Sequence, residues 1–443
     1  MTDRQKLEIF SEILRYRTVS RQPGEIFDKK PFSEIAEYLI KAFPQVHRHF
    51  RRETIGDGSL LYTLQGADQL LKPFMLTAHL DVVPAEDGEK WLEPPFSGTI
   101  RDGRIWGRGS IDYKAGVSAM LQACEDILER EFKPDRTLIL AFGHDEEVGG
   151  NSGAAEIVRV LTDRSISLSS VLDEGGYIYS YPWMKRDVAV IGLAEKGYLT
   201  LRLAAQGVQG HASVPDRNTA AGSLCRCLAE LEKNQLTVKL CSPVEKMLQA
   251  TSEMFRESVM ISDRIPTSGE MMRIIEKWPS GNALVRTTTA ITMIRGSSKE
   301  NIIPAEPFAL VNFRAIPGDH SSDIYNHVRS IAEPLGVDVR YEDTDQIHEP
   351  SGIASMDTEE YRAIQVAVRG IWPRIPVVPG IFPAATDSRH YCKIADNVYR
   401  FEPVHLGKEG LGALHSEGES ITVDDYLNGV SFYTAYIGIV STT

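Results

Sequence analysis

The chain has 443 residues, of which 42% are hydrophobic and 25% are charged, proportions that are ordinary for a globular protein with a large core. Its formal net charge of -13 disfavours nucleic acid and anionic membrane surfaces as partners, since both would repel it. The charge does not exclude anionic substrates, because a binding site can carry its own local cations.

The amino-terminal part of the chain predicts helices and then buried strands. Residues 7–14 and 35–43 place apolar side chains at helical spacing, which predicts two amphipathic helices. Short apolar runs follow at 74–78, 137–142 and 170–172. Because continuous apolar runs between helices are typical of buried parallel strands, we expect an α/β fold with a mixed, largely parallel sheet flanked by helices.

The middle of the chain has a different pattern. Leu199, Leu201 and Leu203 alternate with polar residues, as in a strand with one wet face. The same kind of pattern predicts strands near 288–294, 308–314 and 337–341 and helices near 221–231 and 323–331. These elements indicate a small α+β domain inserted into the first one.

The predicted boundaries follow from these changes of pattern. We expect a discontinuous catalytic domain at 1–193 and 347–443, and an inserted domain at 194–346. Within the insertion, residues 240–283 carry no pattern that predicts an element. The capping-box-like sequence Thr422-Val-Asp-Asp425 opens a final helix.

Residues of types that can bind metals follow each predicted buried strand. His79 and Asp81 follow the first strand, Glu146 and Glu147 the second, and Asp173 and Glu174 the third. In open α/β sheets, sites gather at the carboxyl ends of the strands, so these clusters can meet although they lie far apart in sequence.

Each cluster also has a structural explanation when it is considered alone. Asp112 stands just before a helix and could be only an N-cap. Glu146-Glu147 could be an exposed acidic turn, His79 a hydrogen-bonded core histidine, and Asp173-Glu174 a turn. Their coincidence at strand ends favours a functional site, because charged groups there are costly unless they are paired or bound to metal.

The types of these side chains indicate a class of metal. Carboxylates with histidine and without thiolate suit catalytic zinc or a similar divalent ion. Two ions that share a bridging ligand can activate a water between them. One acidic residue must then stay free to take a proton from that water, and the adjacent pair Glu146-Glu147 could divide the two tasks.

Motifs of other enzyme classes are absent or weak in the sequence. There is no His-Glu-x-x-His, no Gly-x-Ser-x-Gly and no P-loop, and Gly107-Arg-Gly109 is too short for a dinucleotide fingerprint. The five cysteines show no zinc-finger spacing, which indicates reduced thiols. The sequence starts MTDRQKLEIF, without an apolar signal core, and no apolar run approaches the ~20 residues of a membrane span, so we expect a cytoplasmic protein.

Several motifs, spread over nearly the whole chain, form a familiar combination. They are His79-Leu-Asp81-Val-Val-Pro84, Trp106-Gly-Arg-Gly-Ser-Ile-Asp112-Tyr-Lys114, His144-Asp-Glu146-Glu147-Val-Gly-Gly150, Gly210-His211-Ala-Ser213, Asn301-Ile-Ile-Pro304 and His415. The combination resembles the two-zinc metallopeptidases that include carboxypeptidase G, aminoacylase and succinyl-diaminopimelate desuccinylase. Val311-Asn-Phe-Arg314 and Thr386-Asp-Ser-Arg389 look most like the carboxypeptidase S branch, which includes a mammalian N-acyl amino acid hydrolase.

The resemblance implies a role for each residue at a matching position. Asp112 would bridge two metals, with His79 and Asp173 on one and Glu147 and His415 on the other. Glu146 would be the general base and acid, Asp81 would orient His79, His211 and Asn301 would stabilise the oxyanion from the inserted lid, and Arg314 or Arg389 would hold a substrate carboxylate. The ions would be zinc, with cobalt or manganese as alternatives.

The resemblance also implies a substrate and an assembly. We expect a dipeptidase or carboxypeptidase, or a deacylase of N-acyl amino acids, acting next to a free carboxylate. We also expect a homodimer through the lid, in which His211 reaches the partner's site. A two-metal phosphoesterase and a catalytically inactive binding protein are the rivals from other classes, although all the expected ligands and the base are present.

Overall fold

A computed structural model of the chain describes residues 1–21, 24–85, 90–259, 264–407, 412 and 414–442. The chain divides into two compact units. The first contains Met1–Leu193, Ile353–Gly380 and Thr386–Thr443, and the second contains Ala194–Gly352 and Ile381–Ala385. The structure therefore places the return to the first unit at Ile353, and gives a short later segment to the second.

The helices and strands of the amino-terminal stretch run from α1 to α5 and from β1 to β9. The helices are α1 (Asp3–Ile13), α2 (Lys30–Ala42), α3 (Pro44–His49), α4 (Lys114–Leu128) and α5 (Ala154–Asp163). The strands are β1 (Arg51–Ile55), β2 (Ser59–Leu64), β3 (Phe74–His79), β4 (Ile100–Arg101), β5 (Arg104–Trp106), β6 (Leu138–Gly143), β7 (Leu168–Asp173), β8 (Ile178–Tyr179) and β9 (Val188–Glu195).

The second unit supplies the next elements, and the carboxy-terminal stretch the last ones. The second unit contains β10 (Gly197–Ala205), β11 (Gly210–His211), α6 (Ala220–Lys233), α7 (Ser242–Ala250), α8 (Ser252–Val259), α9 (Ser268–Ile275), α10 (Pro279–Val285), β12 (Thr288–Arg295), β13 (Ile302–Ile303), β14 (Phe308–Ala315), α11 (Ser321–Ala332) and β15 (Val337–Tyr341). The rest are α12 (Glu359–Ile371), β16 (Val377–Phe382), α13 (Ser388–Tyr391), β17 (Ala395–Arg400), β18 (Ser420–Thr422) and α14 (Val423–Val440).

The main sheet has the strand order β1-β2-β6-β3-β7-β17-β9-β16. Its centre is parallel, since β3 pairs in parallel with β6 and β7, and β17 pairs in parallel with β7. The flanking pairs β1–β2, β2–β6 and β9–β17 are antiparallel. Every residue of β3 and β6 is buried, which explains their continuous apolar sequences. The predicted mixed, largely parallel sheet is confirmed.

Two helices pack close to the centre of this sheet. All of α4 is buried, and it packs against β3 and α14. The predicted cap of α14 is present, because the Thr422 hydroxyl accepts a hydrogen bond of 3.0 Å from the Asp425 amide. Within the described residues, no helix combines the length and the apolarity that crossing a bilayer requires.

The second unit has an α+β core of its own. Its sheet has the order β12-β14-β10-β15, and β11 pairs with β13. The buried face carries the alternating Leu199, Leu201 and Leu203, which pack with apolar side chains of α6 and α11. Helices α7 to α10 form much of the sequence between 240 and 283, of which residues 260–263 lie outside the described residues. These helices are too short for apolar periodicity to show, although the capping box Thr267–Glu270 marks the start of α9.

Candidate metal centre

Strands β3 and β7 of the main sheet bring two of the predicted metal-binding residues, His79 and Asp173, to one edge. The register pairs His79 at the end of β3 with Gly143 at the end of β6, and Asp173 at the end of β7 with Arg400 on β17. A short 3-10 turn, Glu146–Val148, follows β6. Because parallel strands end at the same edge, the chain segments that leave these strands begin close together.

One group of possible ligands contains His79, Asp112 and Glu174, all buried. The His79 Nε2 lies 2.9 Å from the Asp112 Oδ1 and 3.5 Å from the Glu174 Oε1. The His79 Nδ1 lies 2.9 Å from the backbone carbonyl oxygen of Asp81, a contact that orients the ring and leaves Nε2 facing the two carboxylates.

A second group contains Asp112, Glu147 and His415. The His415 Nε2 lies 3.0 Å from the Asp112 Oδ2 and 3.2 Å from the Glu147 Oε2. Asp112 is therefore shared, with one carboxylate oxygen in each group. The N-cap of α4 is Tyr113, without a side-chain capping bond, so the structure does not use Asp112 as an N-cap.

One group of possible ligands differs from the expected set by one residue. Glu174, and not Asp173, lies beside His79 and Asp112. The Asp173 Oδ2 accepts hydrogen bonds of 3.0 Å from Thr386 and 2.7 Å from Ser388. Consecutive residues at the end of a strand point in different directions, so only one carboxylate of the pair can enter the group.

Asp81 has contacts that the sequence did not predict. Its backbone carbonyl accepts from His79, while its carboxylate is 3.5 Å from the His79 ring. The same carboxylate accepts hydrogen bonds of 3.1 Å from the amides of both Glu146 and Glu147. Asp81 therefore joins the histidine at the end of β3 to the turn after β6.

Glu146 lies next to the two groups but belongs to neither. Its amide donates to the Asp81 carboxylate, and its own carboxylate is not among the grouped donor atoms. Burial, and next the charge of Glu174, raise the pKa of Glu146 well above its usual range.

The residues fit divalent cations, in number and in type. In each group one donor atom per residue lies within 4.8 Å of the others, and the donors are carboxylate oxygens and imidazole nitrogens. Hydrogen bonds with Asp112 and Glu147 raise the pKa of His415 to about 10, so a proton on this histidine partly offsets the local negative charge when no cation is bound. Such a concentration of buried carboxylates is costly without positive charge, which divalent ions supply.

The predicted oxyanion residues both lie in the second unit. His211 on β11 pairs with Ile302 on β13, and the Ala212 amide donates to the Asn301 carbonyl at 3.1 Å, so His211 and Asn301 are neighbours. The exposed His211 accepts a hydrogen bond of 3.2 Å from the Ser213 amide at Nδ1, which places its proton on Nε2.

The two candidate arginines lie in different units. The Arg314 guanidinium on β14 lies over the Tyr198 ring, 4.7 Å from its centre. The Arg389 guanidinium donates to the Gly149 carbonyl, next to the Glu146–Val148 turn, and its Nε lies 3.3 Å from the His390 ring. Arg389, a candidate for binding a substrate carboxylate, is therefore bound to the protein's own backbone.

Comparison with known protein families places the chain. The sequence model of peptidase family M20/M25/M40 matches residues 75–438, which is well over half of the chain. The chain belongs to this peptidase family. The membership confirms the resemblance that the sequence motifs indicated. This member of the family is a metal-dependent hydrolase of amide or peptide bonds.

Similar proteins and structures include members of the expected branch. The chain is 34% identical to a probable carboxypeptidase S-like protein 2 of Dictyostelium discoideum, over 98% of the chain and 84% of that protein. It is 36% identical to the N-fatty-acyl-amino acid synthase/hydrolase PM20D1 of Mus musculus, over 91% and 82%. The fold is similar to human carnosine dipeptidase 1, with a TM-score of 0.70 at 18% identity over 99% of this chain and 96% of that one. It is also similar to a metallo-carboxypeptidase of Sulfolobus solfataricus, with a TM-score of 0.72 at 16% identity over 98% and 99%.

Proposed function

We propose that this peptidase family member hydrolyses an amide or peptide bond next to a free carboxylate, at a site that holds two divalent ions. The observation that carries this proposal is the placement of Asp112, whose two oxygens face two different groups of ligands. His79, Asp112 and Glu174 would hold one ion, and Asp112, Glu147 and His415 the other. Zinc is the first candidate for these ligands, and cobalt or manganese the alternatives.

Glu146 performs the proton transfers in this proposal. Divalent ions held by these ligands would supply Lewis-acid polarisation of the scissile carbonyl and lower the pKa of a water. The Glu146 carboxylate takes a proton from that water and later gives it to the amine nitrogen that leaves. The Asp81 carboxylate accepts a hydrogen bond from the Glu146 amide. This bond fixes the backbone that carries the base beside the ligand groups.

The substrate is proposed to be a dipeptide or an N-acyl amino acid. Support comes from relatives that are named for carboxypeptidase and N-fatty-acyl-amino acid hydrolase activities. Arg314 and Arg389 are the candidates for a carboxylate clamp, because a guanidinium can bind both oxygens of a carboxylate. The Gly149 contact of Arg389 fixes that side chain close to the turn that carries Glu146.

A homodimer is proposed from the second unit. Strand β12 is at one end of the sheet order and exposes apolar side chains, with Met293 38% and Ile294 60% exposed. Such an edge is suited to pairing with another chain. We propose that His211 and Asn301 act on the oxyanion in the partner's site, with the proton on the His211 Nε2 as a donor.

Two further expectations stay proposals. A two-metal phosphoesterase is the second candidate function, but family membership favours amide hydrolysis. A reducing, cytoplasmic location is proposed because all five cysteines are free thiols.

The test is a substrate screen with matched acids and amides. Purified protein loaded with zinc, cobalt or manganese is assayed with dipeptides, with N-acyl amino acids, and with the same compounds carrying a carboxamide in place of the carboxylate. We expect hydrolysis of one class of acid and a sharp loss of turnover for its amide. Equal rates on acid and amide would remove the carboxylate clamp, and full activity without bound metal would end the two-metal proposal.

A further inference from the structure

A buried ion pair lies behind the ligand groups, in a position that the mechanism does not use. The Arg108 Nη1 donates to the Glu419 Oε2 at 2.8 Å, and the two residues are only 4% and 1% exposed. A charge pair taken out of water is costly unless its remaining donors and acceptors are also satisfied. The other contacts of Arg108 and Glu419 therefore indicate what the pair does.

The second carboxylate oxygen of Glu419 binds the backbone that leads to Asp112. The Glu419 Oε1 accepts hydrogen bonds from the amides of Gly109 at 3.0 Å, Ile111 at 2.9 Å and Asp112 at 3.2 Å. One carboxylate thus fixes the turn that presents the shared ligand. Because these bonds are made to the main chain, they do not compete with a cation for the Asp112 side chain.

The guanidinium of Arg108 binds the backbone around His415 in the same way. Its Nη2 donates to the His415 carbonyl and its Nη1 to the Ser416 carbonyl, both at 3.2 Å. The backbone of His415 has a φ of 59°, in the left-handed region that side chains other than glycine enter seldom. Surrounding contacts must hold such a residue in place, and the Arg108 bond to its carbonyl is one of them.

We infer that Arg108 and Glu419 form a clamp that sets the spacing of Asp112 and His415, and so positions the ligand group Asp112–Glu147–His415 before a cation binds. Without a cation the carboxylates of this group repel each other, and a clamp on the main chain opposes their separation. The two ligands come from distant parts of the sequence, so this spacing is not given by local structure. The inference rests on the proposed two-metal function, and both residues are positioning residues.

The test compares the clamp with a second buried ion pair in the same unit. Arg136 and Glu360 are joined at 2.9 Å, with each side chain 10% exposed, and neither belongs to the ligand groups. The clamp variants are Glu419→Gln and Arg108→Lys, and the matched controls are Glu360→Gln and Arg136→Lys. Glu419→Gln removes the charge that faces Arg108, whereas Arg108→Lys keeps the charge but loses the two-pronged contact with the His415 segment.

The readouts are metal affinity by competition with a chelator, and the visible absorption of the protein reconstituted with Co²⁺, both alongside the melting temperature. We expect the clamp variants to bind one of two ions about 10–100-fold more weakly, the range found when groups behind metal ligands are changed. Their Co²⁺ spectrum should also change. The control variants should lose stability but keep both affinities and the wild-type spectrum.

Each outcome decides between the two proposals. If wild-type protein binds two ions, and the clamp variants keep the affinities and spectrum of the controls, the clamp is wrong and the proposed function stands. If wild-type protein binds fewer than two ions, both proposals fail. Should Glu419→Gln not fold, Arg108→Lys carries the test, because it retains the ion pair while releasing the His415 carbonyl.

Discussion

At the residue scale, the site depends on two adjacent pairs of acids whose members have different surroundings. In the first pair, Glu147 belongs to a group of proposed ligands while Glu146 belongs to neither group. In the second, Glu174 belongs to a group of proposed ligands while the Asp173 carboxylate accepts hydrogen bonds from two hydroxyl groups. Each pair therefore allows a matched comparison. One carboxylate is replaced by its amide in one variant, and the neighbouring carboxylate is replaced in the other.

In the first pair, we expect substitution of Glu146 to affect turnover and substitution of Glu147 to affect metal binding. Glu146→Gln should keep both ions and lower kcat by about 10²–10⁴-fold, because the base is lost while the ligands stay. Glu147→Gln should release metal more readily, since it removes the charge of a carboxylate next to His415. Metal content by elemental analysis, measured with kcat, checks both. Equal loss of metal in the two variants would show that the roles are not divided in this way.

The second pair tests whether Glu174 or Asp173 is the ligand. Glu174→Gln should weaken the ion held with His79 and Asp112, because one of the three donors loses its charge. Asp173→Asn should retain metal and lower the melting temperature, since the Oδ2 that receives the Thr386 and Ser388 hydroxyls is altered. Chelator competition and thermal melting distinguish the two. A greater loss of metal in Asp173→Asn would return the ligand role to Asp173.

At the scale of elements, the turn after β6 is fitted closely to the segment that precedes α13. A Cβ at Gly150, whose φ is +64°, would lie 2.0 Å from the Asp387 Oδ1. A Cβ at Gly143, the last residue of β6, would lie 2.7 Å from the Oδ2 of the same buried carboxylate. Only glycine allows this approach, so the position of the Glu146–Val148 turn depends on it.

Gly150→Ala should therefore be destabilising, by about 1–3 kcal/mol for the steric overlap alone. Since the turn would move, kcat should fall as well. Gly370→Ala in α12 is the control, because nothing lies within 4 Å of its added Cβ. This control should leave kcat unchanged and be neutral or stabilising by up to about 1 kcal/mol. Chemical denaturation measures the difference, and equal stability of the two variants would contradict the close fit.

At the scale of the whole molecule, the chain divides its predicted functional residues between two units. The first unit holds the ligand groups and Glu146, and the second holds His211, Asn301 and Arg314. Each unit has its own sheet, and the second has an exposed edge at β12. A dimer with composite sites would give the second unit a catalytic role in its partner.

Complementation tests this arrangement. His211→Ala should lose about 2.7–4 kcal/mol of transition-state stabilisation if His211 is an oxyanion donor. When His211→Ala and Glu146→Gln proteins exchange subunits, a mixed dimer has one site with both residues intact, provided that His211 acts across the interface. Activity of the mixture should then partly return. If subunit exchange is verified and the mixture stays as inactive as its parents, His211 does not act in the partner's site.

The sequence by itself determined three neighbouring strands of the main sheet, β3, β6 and β7, and the edge at which their following residues gather. Buried parallel strands need continuous apolar runs, and those at β3, β6 and β7 are visible in the sequence together with the charged residues that follow them. His79 and Glu147 were therefore expected at this edge from the sequence, whereas the ligand roles of Asp112 and His415 came from the family resemblance; the structure places all four in the two groups of possible ligands. The short helices α7 to α10 were not found, because less than three turns of helix show little periodicity.

Only the tertiary structure decided which member of Asp173-Glu174 enters the ligand group, since that depends on the direction of each side chain where β7 ends. It also decided the contacts of Glu419 with the amides before Asp112, and of Arg108 with the His415 carbonyl. These contacts join main-chain groups that lie far apart in sequence. Every residue except proline has the same backbone amide and carbonyl, so the sequence does not show which of them a side chain will bind. The partner is defined only when the chain is folded.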